Sequence, residues 1–69
     1  MPERLANRLK ERRTELGLTQ AELAELVGVT RKTVNTVENG VFVPSTILAL
    51  KLAKALDRPV EDLFSISPE

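Results

Sequence analysis

The sequence predicts a small all-α domain built from five helices. Apolar residues recur every three to four positions along most of the chain, which is the spacing of one helix face. Glycines and prolines divide this pattern into short segments, and a serine or threonine precedes three of them as a candidate N-cap. A chain of 69 residues can close only one hydrophobic core, so we expect a single domain over residues 1–69 and no β-strand.

The first predicted helix covers residues 3–16. Leu5, Leu9 and Leu16 follow one another at helical spacing, with basic residues between them. Gly17 then supplies the left-handed residue with which many helices end. The chain is therefore expected to open with a charged, amphipathic helix.

A very short turn joins the second and third predicted helices. The second begins with a capping box, in which the Thr19 hydroxyl accepts from the amide of Glu22 and the Glu22 carboxylate accepts from the amide of Thr19. It ends at Gly28, and Thr30 caps the next helix almost at once. The third helix is expected to stop at Asn39-Gly40.

The fourth and fifth predicted helices complete the chain. The fourth starts after Pro44, with Ser45 as its N-cap, and is so widely apolar that we expect it to be the central hydrophobic helix. Its apolar residues are Ile47, Leu48, Leu50, Leu52, Ala53 and Leu56. The fifth helix is short and begins at Pro59. The side chains with which it can close the core are Val60, Leu63 and Phe64.

Residues 20–38 have the pattern of a helix-turn-helix unit. Ala24 and Gly28 are small enough to let two helices meet at a steep angle. The apolar side chains of the shared face are Leu23, Val27, Val34 and Val37. Polar side chains are left to point outward from the third helix, namely Arg31, Lys32, Asn35 and Thr36. A DNA-reading helix and an ordinary two-helix hairpin of a bundle both fit this spacing.

These residues resemble the lambda-repressor/Cro-like helix-turn-helix family, also called the xenobiotic-response-element type. The stretches that carry the resemblance are 16–24, 27–30, 37–40, 44–45 and 60–64, so that it covers about Leu5 to Phe64. The resemblance implies a five-helix fold in which the second and third helices form the motif and the third enters the major groove of DNA.

The resemblance also implies a DNA-binding role for eight side chains. Base-reading positions are matched by Arg31, Lys32 and Thr36, with Asn35 beside them, and contacts to the DNA backbone are matched by Gln20, Thr30, Thr33 and Asn39. Chemically, Arg31 or Lys32 can pair with the O6 and N7 atoms of guanine. Thr30 has a structural alternative as an N-cap alone, and the two roles are compatible.

Four charged residues have structural alternatives to DNA binding. Arg13 and Glu38 fall where the family forms a partly buried ion pair, and we interpret them as a structural pair. Arg8 and Arg12 fit either solvated charges of the first helix or outer contacts to phosphate. We favour the solvated interpretation for these two.

The chain departs from the family pattern in two places. Lysine or arginine is common after the recognition helix, but residues 41–43 are Val-Phe-Val, which argues against phosphate contacts from this loop. Three consecutive apolar residues are unfavourable in water, so we expect Phe42 either to fold back onto the core or to contact a second subunit. Asp57 stands where the family often has glycine, which indicates a strained or differently closed turn.

Composition excludes several classes of function. Without cysteine or histidine, the chain lacks disulfides and the commonest metal ligands and general base. We therefore expect no cofactor, no metal site and no enzymatic activity. No apolar run is long enough to span a membrane, so we expect a cytoplasmic protein. Ten basic and ten acidic residues cancel, and they do so in alternating blocks along the chain.

Together these features predict a sequence-specific regulator of transcription that binds double-stranded DNA. One recognition helix reads only a few base pairs, so we expect a homodimer on a two-fold-related operator. Repression by promoter occupancy is the simplest mechanism, although activation through Glu22 or Glu25 also fits. The alternative is a helix-turn-helix that binds protein, such as an antitoxin-like partner or a transcriptional coactivator. The neutral net charge and the apolar loop favour that alternative.

Overall fold

The computed structural model describes residues 3–68; Met1, Pro2 and Glu69, which the predicted domain includes, lie outside the described residues. Its elements are β1 (Arg4–Asn7), α1 (Leu9–Glu15), α2 (Gln20–Val27), α3 (Arg31–Glu38), α4 (Thr46–Leu56), α5 (Val60–Leu63) and β2 (Phe64–Ser67). The five predicted helices are all present, and the mainly helical fold is confirmed. None of the helices in residues 3–68 is long and apolar enough to cross a membrane.

A small antiparallel sheet corrects the prediction that the chain has no strand. Strands β1 and β2 pair so that Arg4 lies opposite Ser67 and Asn7 lies opposite Phe64. The first helix therefore begins at Leu9 rather than at residue 3. The helical spacing of Leu5 and Leu9 was misleading, because the partner strand lies some sixty residues away and leaves no trace in the local pattern.

Asn7 marks the point at which the strand ends and the helix begins. Its side-chain oxygen accepts a hydrogen bond from the amide of Leu9 at 3.1 Å. Its side-chain nitrogen donates to the carbonyl of Val37 at 2.9 Å, which ties the start of α1 to the last turn of α3. A half-buried asparagine thus accepts from the free amide at the start of α1 and gives a second hydrogen bond to a carbonyl that already accepts from the amide of Gly40 at 3.1 Å.

The core lies where the helix-turn-helix unit packs against α1, α4 and α5. Its buried side chains are Leu9, Leu23, Ala24, Val27, Val34, Val37, Leu52, Ala53, Leu56, Leu63 and Phe64. All four residues predicted for the shared face of the second and third helices belong to this set. Aliphatic side chains therefore make most of the buried contact between α2 and α3.

The predicted helix caps are present in the structure. The Thr19 and Glu22 side chains form both hydrogen bonds of the capping box, and Thr30 and Ser45 each accept from the third residue that follows them. Asp57 ends α4 with φ of +56°, the left-handed region that favours glycine. The strained turn expected at this position is therefore observed.

Helix α4 is less buried than its composition suggested. Leu52 and Leu56 are buried in the core, but Ile47 and Leu50 remain 68% and 56% exposed. The prediction of a central hydrophobic helix is therefore wrong for one side of α4. The described domain has no element that covers that side, although the residue types there are those of a core.

Candidate nucleic-acid interface

Helices α2 and α3 are held together by a tight three-residue turn. Gly28 ends α2 with φ of +75°, and the amide of Val29 donates to the carbonyl of Ala24 at 3.0 Å. Thr30 then starts α3 by accepting from the amide of Thr33 at 3.2 Å. Because only glycine enters the left-handed region at little cost, Gly28 lets α3 begin immediately after α2.

Helix α3 has one apolar face and one polar face. Val34 and Val37 are each only 2% exposed and point into the core. Arg31, Lys32 and Asn35 lie outside this apolar face and are exposed to solvent. These three side chains, all predicted to read bases, thus lie together on one accessible surface.

The threonines of α3 are more constrained than these three side chains. Thr36 is half-buried, and its hydroxyl donates to the carbonyl of Thr33 at 2.9 Å. The hydroxyls of Thr30 and Thr33 lie 3.0 Å apart. In this conformation the hydroxyls are used within the helix, whereas a threonine methyl needs no partner and suits contact with a thymine methyl.

Residues at the start of α2 border the same surface. Gln20 is half-buried, and it lines a shallow cleft together with Thr19, Ala21 and Arg31. The cleft therefore joins the first turn of α2 to the first turn of α3. Such a place suits a phosphate group, because a helix N-terminus and an arginine both attract anions.

Glu38 accepts hydrogen bonds from two other side chains, one from α1 and one from α2. The Nε of Arg13 lies 2.7 Å from one carboxylate oxygen, and its Nη2 lies 3.3 Å from the other. The Nε2 of Gln20 donates to the latter oxygen at 3.0 Å. The side chains of Arg13 and Glu38 are 11% and 2% exposed, so the ion pair is nearly closed to water.

A line of amide side chains continues from Glu38 to the outer surface. The Nδ2 of Asn35 lies 3.5 Å from the Oε1 of Gln20, and the Nδ2 of Asn39 lies 3.2 Å from the Oδ1 of Asn35. The sequence does not show that these residues are linked, because Gln20 and Asn35 lie 15 positions apart on two helices. The spacing of Asn35 and Asn39, four residues apart, was the only available signal.

Arg12 has a role that neither sequence alternative described. Its Nε donates to the carbonyl of Leu56 at 2.8 Å, and its side chain is only 14% exposed. The favoured interpretation of a solvated charge is therefore wrong for Arg12, which caps the last turn of α4 instead. Arg8 does fit the solvated interpretation, since it forms an exposed pair with Glu11 at 3.3 Å.

Phe42 is neither buried nor fully exposed. It is 48% exposed and lines a cleft of about 450 Å³ with Leu5, Val37 and Val43. Its neighbours Val41 and Val43 are 77% and 67% exposed. The loop therefore folds only partly toward the core, and most of its apolar surface is left uncovered.

No group of three or more acidic, histidine or cysteine side chains within residues 3–68 is placed to hold a metal ion. What the surface of α3 offers chemically is hydrogen bonding and positive charge.

The sequence is similar to a known family and to known proteins. A family model described as helix-turn-helix matches residues 9–63. An uncharacterised HTH-type transcriptional regulator of Methanothermobacter thermautotrophicus is 52% identical over 62 residues, which are 88% of this chain and 90% of that protein. The uncharacterised HTH-type transcriptional regulator YgzD of Bacillus subtilis is 46% identical over 65 residues, covering 94% and 98% of the two chains.

A solved structure agrees with the sequence comparisons. The restriction-modification controller protein C.AhdI of Aeromonas hydrophila superposes with a TM-score of 0.74 at 44% identity. The superposition covers 78% of this chain and 82% of that one.

Proposed function

Because the chain belongs to the lambda-repressor/Cro-like helix-turn-helix family of DNA-binding transcription regulators, we propose that it reads a specific operator by placing α3 in the major groove. The observation that carries this proposal is the polar face of α3, where Arg31, Lys32 and Asn35 are exposed beside one another. Arginine and lysine suit guanine, and asparagine suits adenine.

The charge on the rest of the surface supports the same orientation. A cleft on another part of the domain is lined by four carboxylates, those of Glu11, Glu15, Glu61 and Asp62. Three arginines, Arg8, Arg12 and Arg58, line the same cleft, so its formal charge is 3 − 4 = −1. The start of α3 is locally basic, because Arg31 and Lys32 are both exposed there.

Sequence preference tests the proposal directly. Arg31→Ala should lower the preference for sequences that the parent selects from random duplexes, with a loss of about 1–3 kcal/mol at one base pair. Arg58→Ala is the matched control, because Arg58 is also an exposed arginine but lines the cleft with the four carboxylates. Equal selectivity of Arg31→Ala and the parent would contradict the assignment of the base-reading surface.

Salt dependence separates DNA binding from a purely protein-binding role. Each neutralised phosphate should add about 0.9 to the slope of log affinity against log salt concentration. An affinity for duplex DNA that did not change with salt would refute the proposal.

We further propose that the protein binds as a homodimer through the loop and the uncovered side of α4. Val41, Val43, Ile47 and Leu50 are all more than half exposed, and they follow one another across the loop and the first turns of α4. Phe42, half-exposed within the same segment, is the side chain first expected to meet a second subunit. Burial against a second copy would remove this apolar surface from water.

Two matched leucines test the dimer. Leu50→Ser should shift the monomer–dimer equilibrium toward monomer in sedimentation, and Phe42→Ser should act in the same direction. Leu16→Ser is the control, because Leu16 is an exposed leucine at the end of α1, 42% exposed compared with 56% for Leu50. If Leu50→Ser and Leu16→Ser sedimented alike, the loop and α4 would not form the interface.

Repression by promoter occupancy is the regulatory mechanism that we propose. Occupying a promoter needs only DNA binding, whereas activation would also need an acidic side chain that touches polymerase. Of the two candidates, Glu22 already accepts from the amide of Thr19 at 2.8 Å, and Glu25 is exposed. Transcription from a promoter that overlaps the selected operator should therefore fall as the protein is added. A rise in transcript would contradict this mechanism.

A further inference from the structure

The hydrogen bonds that link Glu38, Gln20 and Asn35 can run in only one direction. A carboxylate accepts hydrogen bonds and cannot donate them, so Glu38 must face the NH₂ group of Gln20. The Oε1 of Gln20 then faces away from Glu38 and can only accept. That oxygen faces the Nδ2 of Asn35, at 3.5 Å.

The direction continues through the next amide. With its nitrogen turned toward Gln20, Asn35 presents its oxygen to the Nδ2 of Asn39, at 3.2 Å. A primary amide has two N–H groups and two lone pairs. Asn35 therefore keeps one N–H group and one lone pair free on an exposed part of α3.

One donor beside one acceptor is the pattern that recognises adenine. An asparagine donates to N7 and accepts from N6 of that base in the major groove. If the amide turned over, donor and acceptor would exchange places and this match would be lost in the original pose. The ion pair of Arg13 and Glu38 lies at the inner end of the line and is nearly closed to water.

We propose that Glu38 acts through Gln20 to hold the amide of Asn35 in one orientation, so that Asn35 reads an adenine on a defined strand of the operator. Glu38 and Gln20 are positioning residues in this arrangement, and Asn35 is the residue that touches the base. The inference rests on the proposed DNA binding and adds a source of specificity that lies behind the recognition helix.

The test compares affinities for two duplexes. Selection with Asn35→Ala first identifies the base pair at which that variant loses preference. The two duplexes then carry A·T or T·A at this position and are otherwise identical. We expect the parent to prefer one of them by roughly five- to 150-fold and Asn35→Ala to bind both about equally.

Gln20→Met is the decisive variant. Methionine is similar in length and suits a helix, and the pair of Arg13 and Glu38 stays intact. We expect the ratio of the two affinities to fall toward one although Asn35 is unchanged. Thr33→Val is the control, because loss of a contact to the DNA backbone should weaken both duplexes alike and leave the ratio as in the parent.

Glu38→Gln provides a second test with Gln20 and Asn35 both present. A neutral amide at position 38 can accept or donate, so the orientation of Gln20 is no longer dictated and the ratio should again fall. A melting curve checks that the variant is folded. Should Gln20→Met keep the parent's ratio, the orientation of Asn35 would not depend on Gln20 and the inference would be wrong. A parent protein that bound all duplexes equally would instead refute the proposed function, and with it this inference.

Discussion

The buried pair of Arg13 and Glu38 gives the sharpest prediction about stability. Replacing Glu38 with methionine removes a carboxylate that is 2% exposed and leaves the guanidinium of Arg13, 11% exposed, without its counter-charge. Removing one partner of a buried pair costs about 3–5 kcal/mol. We expect about 3 kcal/mol for Glu38→Met, because the Nη1 of Arg13 keeps its hydrogen bond to the carbonyl of Leu18 at 2.7 Å.

This loss is large for so small a domain. A chain of 69 residues is expected to be stable by roughly 3.5–10 kcal/mol. The melting temperature of a domain of this size falls by about 4–8 °C for each kcal/mol, so Glu38→Met should melt about 12–24 °C below the parent. Circular dichroism in the far ultraviolet is the suitable probe, because the chain contains no tryptophan or tyrosine.

Two further variants test whether the loss of stability comes from burial of the Arg13–Glu38 ion pair. Glu11→Met is the matched control, since Glu11 also pairs with an arginine but is 59% exposed, and its loss should cost less than about 1 kcal/mol. The double variant Arg13→Met/Glu38→Met should be more stable than the sum of the single losses predicts, because no charge is left buried. Equal effects of Glu38→Met and Glu11→Met, or strictly additive losses, would refute this reasoning. All samples need one protein concentration, because dimerisation shifts apparent stability.

The remaining predictions concern the helix ends and use the same unfolding measurements. Asp57→Gly should raise the free energy of unfolding by about 0.5–1 kcal/mol, because it relieves the left-handed backbone at the end of α4. Gly28→Ala should lower the free energy of unfolding by about 1 kcal/mol through the strained backbone alone, since an added Cβ would meet no atom within 4 Å. An unchanged free energy of unfolding in either variant would contradict the role of these dihedral angles. Arg12→Met should cost about 1.5 kcal/mol by freeing the carbonyl of Leu56, whereas Arg8→Met should cost almost nothing. Similar losses for these two arginines would mean that Arg12 does not cap α4.

The parts of the fold that sequence reasoning predicted correctly depend on local chemistry. The capping box of Thr19 and Glu22 involves residues three positions apart, and the turn at Gly28 depends on one residue's dihedral angles. The apolar face of α3 follows from helical periodicity within a single segment. In each case the signal and the structure lie within a few residues of each other.

The errors arose where distant segments meet. Leu5 has helical spacing to Leu9, but its segment pairs instead with Phe64–Ser67 at the other end of the chain. The local pattern around Arg12 indicates a surface charge, because its acceptor, the carbonyl of Leu56, is 44 positions away. Neither contact has a local pattern by which it could be found.

At the candidate site, the side chains that α3 carries and the position of its apolar face can be predicted from the sequence, because both depend on periodicity and side-chain chemistry alone. The position of Gln20 between Glu38 and Asn35 follows only from the packing of the helices, because these residues come from two helices whose angle is set by packing. The tertiary structure also decided that Ile47 and Leu50 remain exposed, since burial depends on what the rest of the chain can cover. Composition specifies which groups prefer to be buried, and the packing of the helices specifies which of them are.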